Sequence, residues 1–161
     1  MARETSSRLT RGALSRVRVL GAALDLAGAE GLAAVTMRRL AANLGVEAMS
    51  LYYHLPGKEG LLDGLVDAVV AEIEGEIAQS ARPNEGWRSE VRRRCLSARE
   101  VMKRHPWAPG LIGSRSTIPA TVFGLYEAIL ASLIEGGFSY RLAHRALHAL
   151  GSMVLGFAQE V

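Results

Sequence analysis

The stretch from Thr36 to Lys58, TMRRLAANLGVEAMSLYYHLPGK, constrains the fold more than any other part of the chain. Its pattern is that of two short helices around a tight glycine turn. Thr36 is a natural N-cap, its hydroxyl placed to satisfy a free backbone N–H, and Met37, Leu40, Ala41 and Leu44 recur at helical spacing. Gly45 follows at once, where a left-handed backbone costs a residue without Cβ little, and Val46 resumes the apolar pattern. A second helix is expected over Glu47–Leu55. It would turn Val46, Leu51 and Leu55 to one side and Ala48, Met49, Ser50, Tyr52, Tyr53 and His54 largely to the others. Pro56-Gly57 ends it.

This is the outline of a helix-turn-helix, whose second helix can enter a DNA major groove. An ordinary helical hairpin has the same spacing. The outward residues favour the first reading. A helix with no partner surface carries Lys and Glu on its exposed side, whereas this one offers Met, Ser, two Tyr and a His. Such side chains can contact thymine methyls, phosphates and base edges.

Thr36-Met37-Arg38-Arg39-Leu40-Ala41, Leu44-Gly45-Val46, Leu51-Tyr52-Tyr53-His54 and Lys58-x-x-Leu61-Leu62 closely resemble the DNA-binding domain of the tetracycline-repressor family. The likeness extends over about Leu14 to Leu65, including an upstream AALDLAGAEGL that looks like the family's first helix. The resemblance implies DNA contacts from Arg38, Ser50, Tyr52, Tyr53 and His54, with Tyr52, Thr36 and Lys58 mainly on phosphates. Ala48 and Met49 stand where relatives commonly touch bases. Their apolar character favours thymine methyls over hydrogen-bonded readout.

Apolar residues make up 49% of the 161, enough for a sizeable core, and no apolar run approaches the ~20 residues that span a bilayer. With no signal-like segment at the polar, Arg-rich start, a cytoplasmic protein with no membrane partner is expected. The single cysteine, Cys95, excludes an intrachain disulfide and a multi-cysteine zinc site. Net charge is only +3, but residues 1–18 hold Arg3, Arg8, Arg11, Arg16 and Arg18 against one Glu. That basic arm either contacts phosphate or the minor groove, or is simply a solvated terminus.

The expected fold is all-α. A flexible arm over 1–13 and a three-helix helix-turn-helix domain over 14–60 precede a helical regulatory and dimerisation domain over 61–161. In the first helix Val17, Leu20, Ala23, Leu24 and Ala27 share a face, with Ser15 a possible cap. The three-helix core is expected to hold Leu20, Leu24, Leu32, Leu40, Leu44, Val46, Leu51 and Leu55. From Lys58 to about Ser80, Leu61, Leu62, Leu65, Val66, Val69, Val70, Ile73 and Ile77 continue at helical spacing, too long a helix to stay within so small a head. In the family this helix joins head to core, and its tilt sets the separation of two reading heads. Further helices are expected from Trp87 to about Lys103, from about Ala120 to Glu135 and from Tyr140 onward. His105-Pro106-Trp107-Ala108-Pro109-Gly110 breaks the chain, and Leu111–Pro119 is expected to be irregular. The second half resembles the tetracycline-repressor type of C-terminal domain. Relatives continue through one or two more helices, so missing C-terminal residues are expected.

An apolar bundle with Met102, His105, Trp107, Phe123, Tyr126 and His148 can enclose an apolar effector with a few polar anchors. Most such side chains serve equally as core. The positions of the drug- and metal-contacting residues in tetracycline-binding members fall on Glu74, Arg94, Ala98 and Ile112, so the chelating set is absent and the effector is expected to differ. No cofactor and no metal site are expected. His144 and His148 share a helix face but lack a third ligand. There is no Gly-rich phosphate loop, nucleophile elbow or HExxH, which speaks against an enzyme. The reading is therefore a ligand-responsive DNA-binding transcriptional regulator. It is taken as a homodimeric repressor released from a palindromic double-stranded operator by a small molecule, and the alternative is an all-α interaction scaffold without DNA binding.

Overall fold

The computed structural model describes residues 13–83, 85–117 and 119–157. Among them are eight α-helices and no strand: α1 (Arg16–Glu30), α2 (Met37–Leu44), α3 (Ala48–Tyr52), α4 (Gly57–Gln79), α5 (Trp87–Arg104), α6 (Ala108–Ser114), α7 (Ala120–Glu135) and α8 (Tyr140–Phe157). A 3-10 turn, Leu32–Ala34, links α1 to α2. Arg3, Arg8 and Arg11 of the basic arm lie outside the described residues.

Local signals explain most of the boundaries. Ser15 caps α1, its hydroxyl accepting from the Arg18 N–H at 3.2 Å, and Thr36 caps α2 by accepting from the Arg39 N–H at 3.2 Å. Gly45 sits at φ 66°, ψ 38°. There the Val46 N–H donates to the Ala41 carbonyl (3.0 Å) and the Gly45 N–H to that of Ala42 (3.2 Å), so left-handed glycine closes α2 with both orphan carbonyls satisfied. The turn into α3 is thereby fixed by backbone alone.

Three expectations are corrected. The second reading helix is shorter than Glu47–Leu55: α3 ends at Tyr52, and Tyr53 and His54 lie in the turn after it. Pro56 disfavours helical geometry at the residue before it, and the His54 and Leu55 N–H groups both fall back on the Leu51 carbonyl. The segment after His105 is not irregular throughout, since α6 occupies Ala108–Ser114. Pro109 stands in its first turn, where a missing N–H costs nothing. Third, α1 buries Val19, Ala23, Leu26 and Ala27, while Val17 is 81% exposed and Leu20 and Leu24 are only partly covered. Apolar residues surround most of α1, so its periodicity fitted more than one rotation of the helix.

The head is closed by Val19, Ala23, Leu40, Leu44, Leu51 and Leu55, joined by Leu61, Leu65, Val66 and Val70 of α4. Leu111 of α6 and Val122 of α7 belong to the same cluster. Val69, Ile73 and Ile77 of α4 instead join Val101, Met102 and Ala108. Thus α4 is buried on two sides by two different sets of partners over about 34 Å of helix. It packs closely on α1 at Gly64, where a Cβ would come within 2.6 Å of Leu20 Cδ2.

Leu51 is the residue through which the short α3 is held, and it is fully buried. Leu51→Ala is expected to destabilise the head by about 3 kcal/mol. Denaturant unfolding should show it, with loss of α3 before the far end of the bundle in amide exchange.

Candidate nucleic-acid interface and effector cavity

α3 is five residues long and cannot stand alone. Leu51 pins its inner face, so the outer face is presented at a fixed angle to solvent. Met49 is 69% exposed, Tyr52 49% and Tyr53 90%. Ala48, Ser50 and His54 are half-buried at the edges of the same surface. Large side chains so exposed on a five-residue helix and the turn after it contribute little to the core. Arg38 on α2 is exposed beside them, whereas Arg39 is engaged by Glu30 at 2.6 Å. Lys58 is exposed in the first turn of α4, a helix end where free N–H groups and the dipole favour an anion. Thr36, Arg38, Ala48, Met49, Ser50, Tyr52, Tyr53, His54 and Lys58 thus lie at the cap of α2, on α2 and α3, which are in contact, in the turn after α3 and in the first turn of α4. Thr36 is already spent in part, its oxygen occupied by the cap.

Behind the head, a line of acidic residues on α4 meets basic or hydroxyl partners from four neighbours. Arg115 Nη2, just after α6, is 2.7 Å from both Glu59 and Asp63. Asp67 accepts from Thr121 Oγ1 at 2.9 Å and lies 3.7 Å from Arg16. Arg104 Nη2 reaches Glu72 at 2.7 Å and Glu76 at 2.8 Å, and His105 Nε2 is 2.6 Å from Glu72. Each exposed pair contributes little energy. Together they fix the rotation of α4 against α1, α5, α6 and α7.

Between α4, α5, α7 and α8 lies a cavity of about 70 Å³, partly open to solvent and almost wholly apolar. Met102 and Tyr126 line it. The other four effector candidates do not. His105 faces Glu72, and Trp107 wedges between the two core clusters with its indole edge against His105. Phe123 is 49% exposed, and His148 is exposed and packs on His144 with ring centroids 4.6 Å apart. The turn between α5 and α6 takes His105 and Trp107, and the exposed faces of α7 and α8 take Phe123 and His148. Residues missed in sequence include Val70, Ile73 and Ile77, aliphatic positions of α4 that periodicity cannot tell from ordinary core. Of the positions that correspond to the tetracycline-contacting set, Arg94, Ala98 and Ile112 do line the cavity. Among the described residues no group of three potential metal ligands is present.

A family model for bacterial regulatory proteins of the tetR family matches residues 19–65, and one for the tetracyclin repressor-like C-terminal domain matches residues 80–161. The chain belongs to the TetR family. It is 31% identical over 160 residues to the HTH-type transcriptional repressor DrrR1 of Streptomyces coeruleorubidus, covering 98% of this chain and 58% of that protein. With the class E tetracycline repressor protein of Escherichia coli identity is 33% over 148 residues, covering 91% and 68%. The crystal structure of the Streptomyces coelicolor TetR family protein ActR in complex with actinorhodin superposes with a TM-score of 0.79 at 30% identity, covering 92% and 68%. The chain spans about three-fifths of the length of the first curated relatives it matches. The curated relatives carry names of transcriptional regulators and repressors. Among the described residues no helix is long and apolar enough to cross a membrane.

The line of ion pairs on this TetR-family α4 is pH-sensitive at Glu72. Burial pushes its carboxyl up, but hydrogen bonds from His105 and Arg104 outweigh that and hold it below the ordinary carboxylate value. A depressed folded pKa contributes stability above the unfolded value that disappears as pH falls through the folded one. Acid unfolding of Glu72→Gln should therefore lose part of its pH dependence below the ordinary carboxylate range of about 4. Carboxyl NMR titration of the native protein should place Glu72 below the ordinary value of a glutamate side chain.

Proposed function

We propose that this chain is a ligand-responsive transcriptional repressor that binds a palindromic operator as a homodimer and leaves it when a small molecule fills the cavity. The observation that carries this reading is the double role of α4. Leu61, Leu65 and Val66 grip the head, while Val70, Ile73 and Ile77 form a wall of the cavity. A ligand that moves that wall moves the reading helix with it. An effector shifts the population toward a state in which two heads no longer match successive major grooves, by as much as its affinity differs between the two states. The names of DrrR1 and the tetracycline repressors, and the ligand complex of ActR, support the same reading. Leu142 and Met153 expose an apolar face on α8 of the kind a second copy covers.

On DNA, Met49 and Ala48 meet thymine methyls, while Ser50, His54 and Arg38 reach polar base edges or phosphates. Tyr52, Tyr53, Thr36 and Lys58 fix the helix on the backbone. No catalytic step is required of any residue, and no cofactor.

The test is footprinting on the DNA upstream of the chain's own gene, backed by selection from random sequence. A protected palindrome is expected, weakened between about 50 and about 200 mM salt as phosphate contacts require. Tyr53→Ala should lower operator affinity about tenfold with unfolding temperature unchanged, because its ring is exposed. Lys58→Ala should reduce the salt slope by about one. Failure to select any DNA sequence would sink the repressor reading in favour of an interaction scaffold.

A further inference from the structure

A second concavity, an open groove of about 380 Å³, runs between α4 and α5 and shares no lining residue with the apolar cavity. Ser89, Arg92, Arg93, Leu96, Ser97 and Glu100 recur along one side of α5 and supply most of its lining. Glu76 and Ser80 at the end of α4, with Arg82 and Glu85 from the loop after it, complete the lining.

Its carboxylates are already matched. Glu76 pairs with Arg104 at 2.8 Å, Glu85 with Arg93 at 2.8 Å, and Glu100 with Arg99 at 3.0 Å and Lys103 at 3.1 Å. The carbonyls at the C-terminal end of α4, which would repel an anion, are covered as well. Ser80 Oγ donates to that of Glu76 at 2.7 Å, and Arg93 Nη1 donates to that of Ile77. Donors are left over. Arg82, Arg92, Ser89 and Ser97 line the groove with no side-chain partner among the described residues.

Ser97 separates this groove from an ordinary charged surface. It is only 9% exposed, and a hydroxyl so far from bulk water normally has a partner. Ser132, buried to a similar degree, donates to the Ala128 carbonyl of its own helix at 3.0 Å. The Ser97 oxygen makes no such bond, yet it is not among the buried polar atoms sealed from solvent, so it opens on the groove it lines. Two unpaired guanidinium groups and two unpaired hydroxyls are more donors than the two oxygens of a carboxylate can use. A phosphate ester brings about two negative charges and three acceptor oxygens. Leu96, 41% exposed in the same lining, offers apolar contact for an organic substituent.

We propose that the groove between α4 and α5 binds a small phosphate ester, its phosphate held by Arg82, Arg92, Ser89 and Ser97 and its organic part against Leu96. The site is separate from the apolar cavity and from the helix-turn-helix, so its failure leaves the repressor reading standing.

Calorimetry on the full chain, with phenyl phosphate, phenol and inorganic phosphate as probes, tests the assignment. Phenyl phosphate is expected to bind about tenfold or more tighter than either of the others. Arg82→Gln and Arg92→Gln should each weaken it about tenfold and leave the unfolding temperature unchanged, because both side chains are exposed and unpaired. Ser97→Ala should weaken it about fivefold. Phenol binding as tight as phenyl phosphate, no binding of phenyl phosphate, or binding indifferent to both arginine variants overturns the site. Inorganic phosphate binding as tight as phenyl phosphate overturns the ester and leaves a site for the free anion.

Discussion

The structure depends on α4 being buried along two of its faces. An ordinary surface helix offers one apolar stripe to one core. This one gives Leu61, Leu65, Val66 and Val70 to the head and Val69, Ile73 and Ile77 to the bundle behind it. Neither cluster closes without it. Because cores are close-packed, a rotation of α4 cannot be absorbed locally by either side. The helix therefore transmits displacement as a rod does, and the acidic line at Glu59, Asp63, Asp67, Glu72 and Glu76 resists its turning without adding much stability.

The same logic explains why α6 matters despite its seven residues. It hangs from the end of α5 through the His105–Trp107 corner and packs Leu111 into the head cluster, with Arg115 clamped to the first turns of α4. Ile112, on the neighbouring face of the same helix, lines the cavity. So α6 is a second, shorter path between cavity and head. Under the proposed mechanism a motion at the cavity would reach α4 at two points, near Glu59 and near Ile73.

Much of this was legible in the sequence where a local rule decides the outcome. Thr36 as a cap, Gly45 as the turn and Leu51 with Leu55 as the inner face follow from backbone sterics and helical period, and these features build the reading end. The periodicity of α4 was equally clear. What failed were choices among equals. The rotation of α1 was ambiguous because Val17, Val19, Leu20, Ala23, Leu24 and Leu26 leave hardly any side polar. Cavity residues were misjudged for a related reason, since a void is defined by the absence of a neighbour, and nothing in Phe123 or Trp107 alone records whether a neighbour is there. Arg94 stands out in the sequence only through its correspondence with a ligand-contacting position of relatives. Its spacing on α5 looks like any solvated arginine.

The exposure of Met49 and Tyr53 sets the two ends of the molecule on different evolutionary footings. These side chains are largely exposed, so their exchange costs little stability, and under the proposed function the DNA sequence preferred by such a head can drift at little thermodynamic cost. The cavity has no such freedom. Val70, Ile73 and Met102 are at once its wall and part of the packed interior, so each change of ligand preference there disturbs stability as well. A lineage built on this plan would be expected to diversify its operators faster than its effectors.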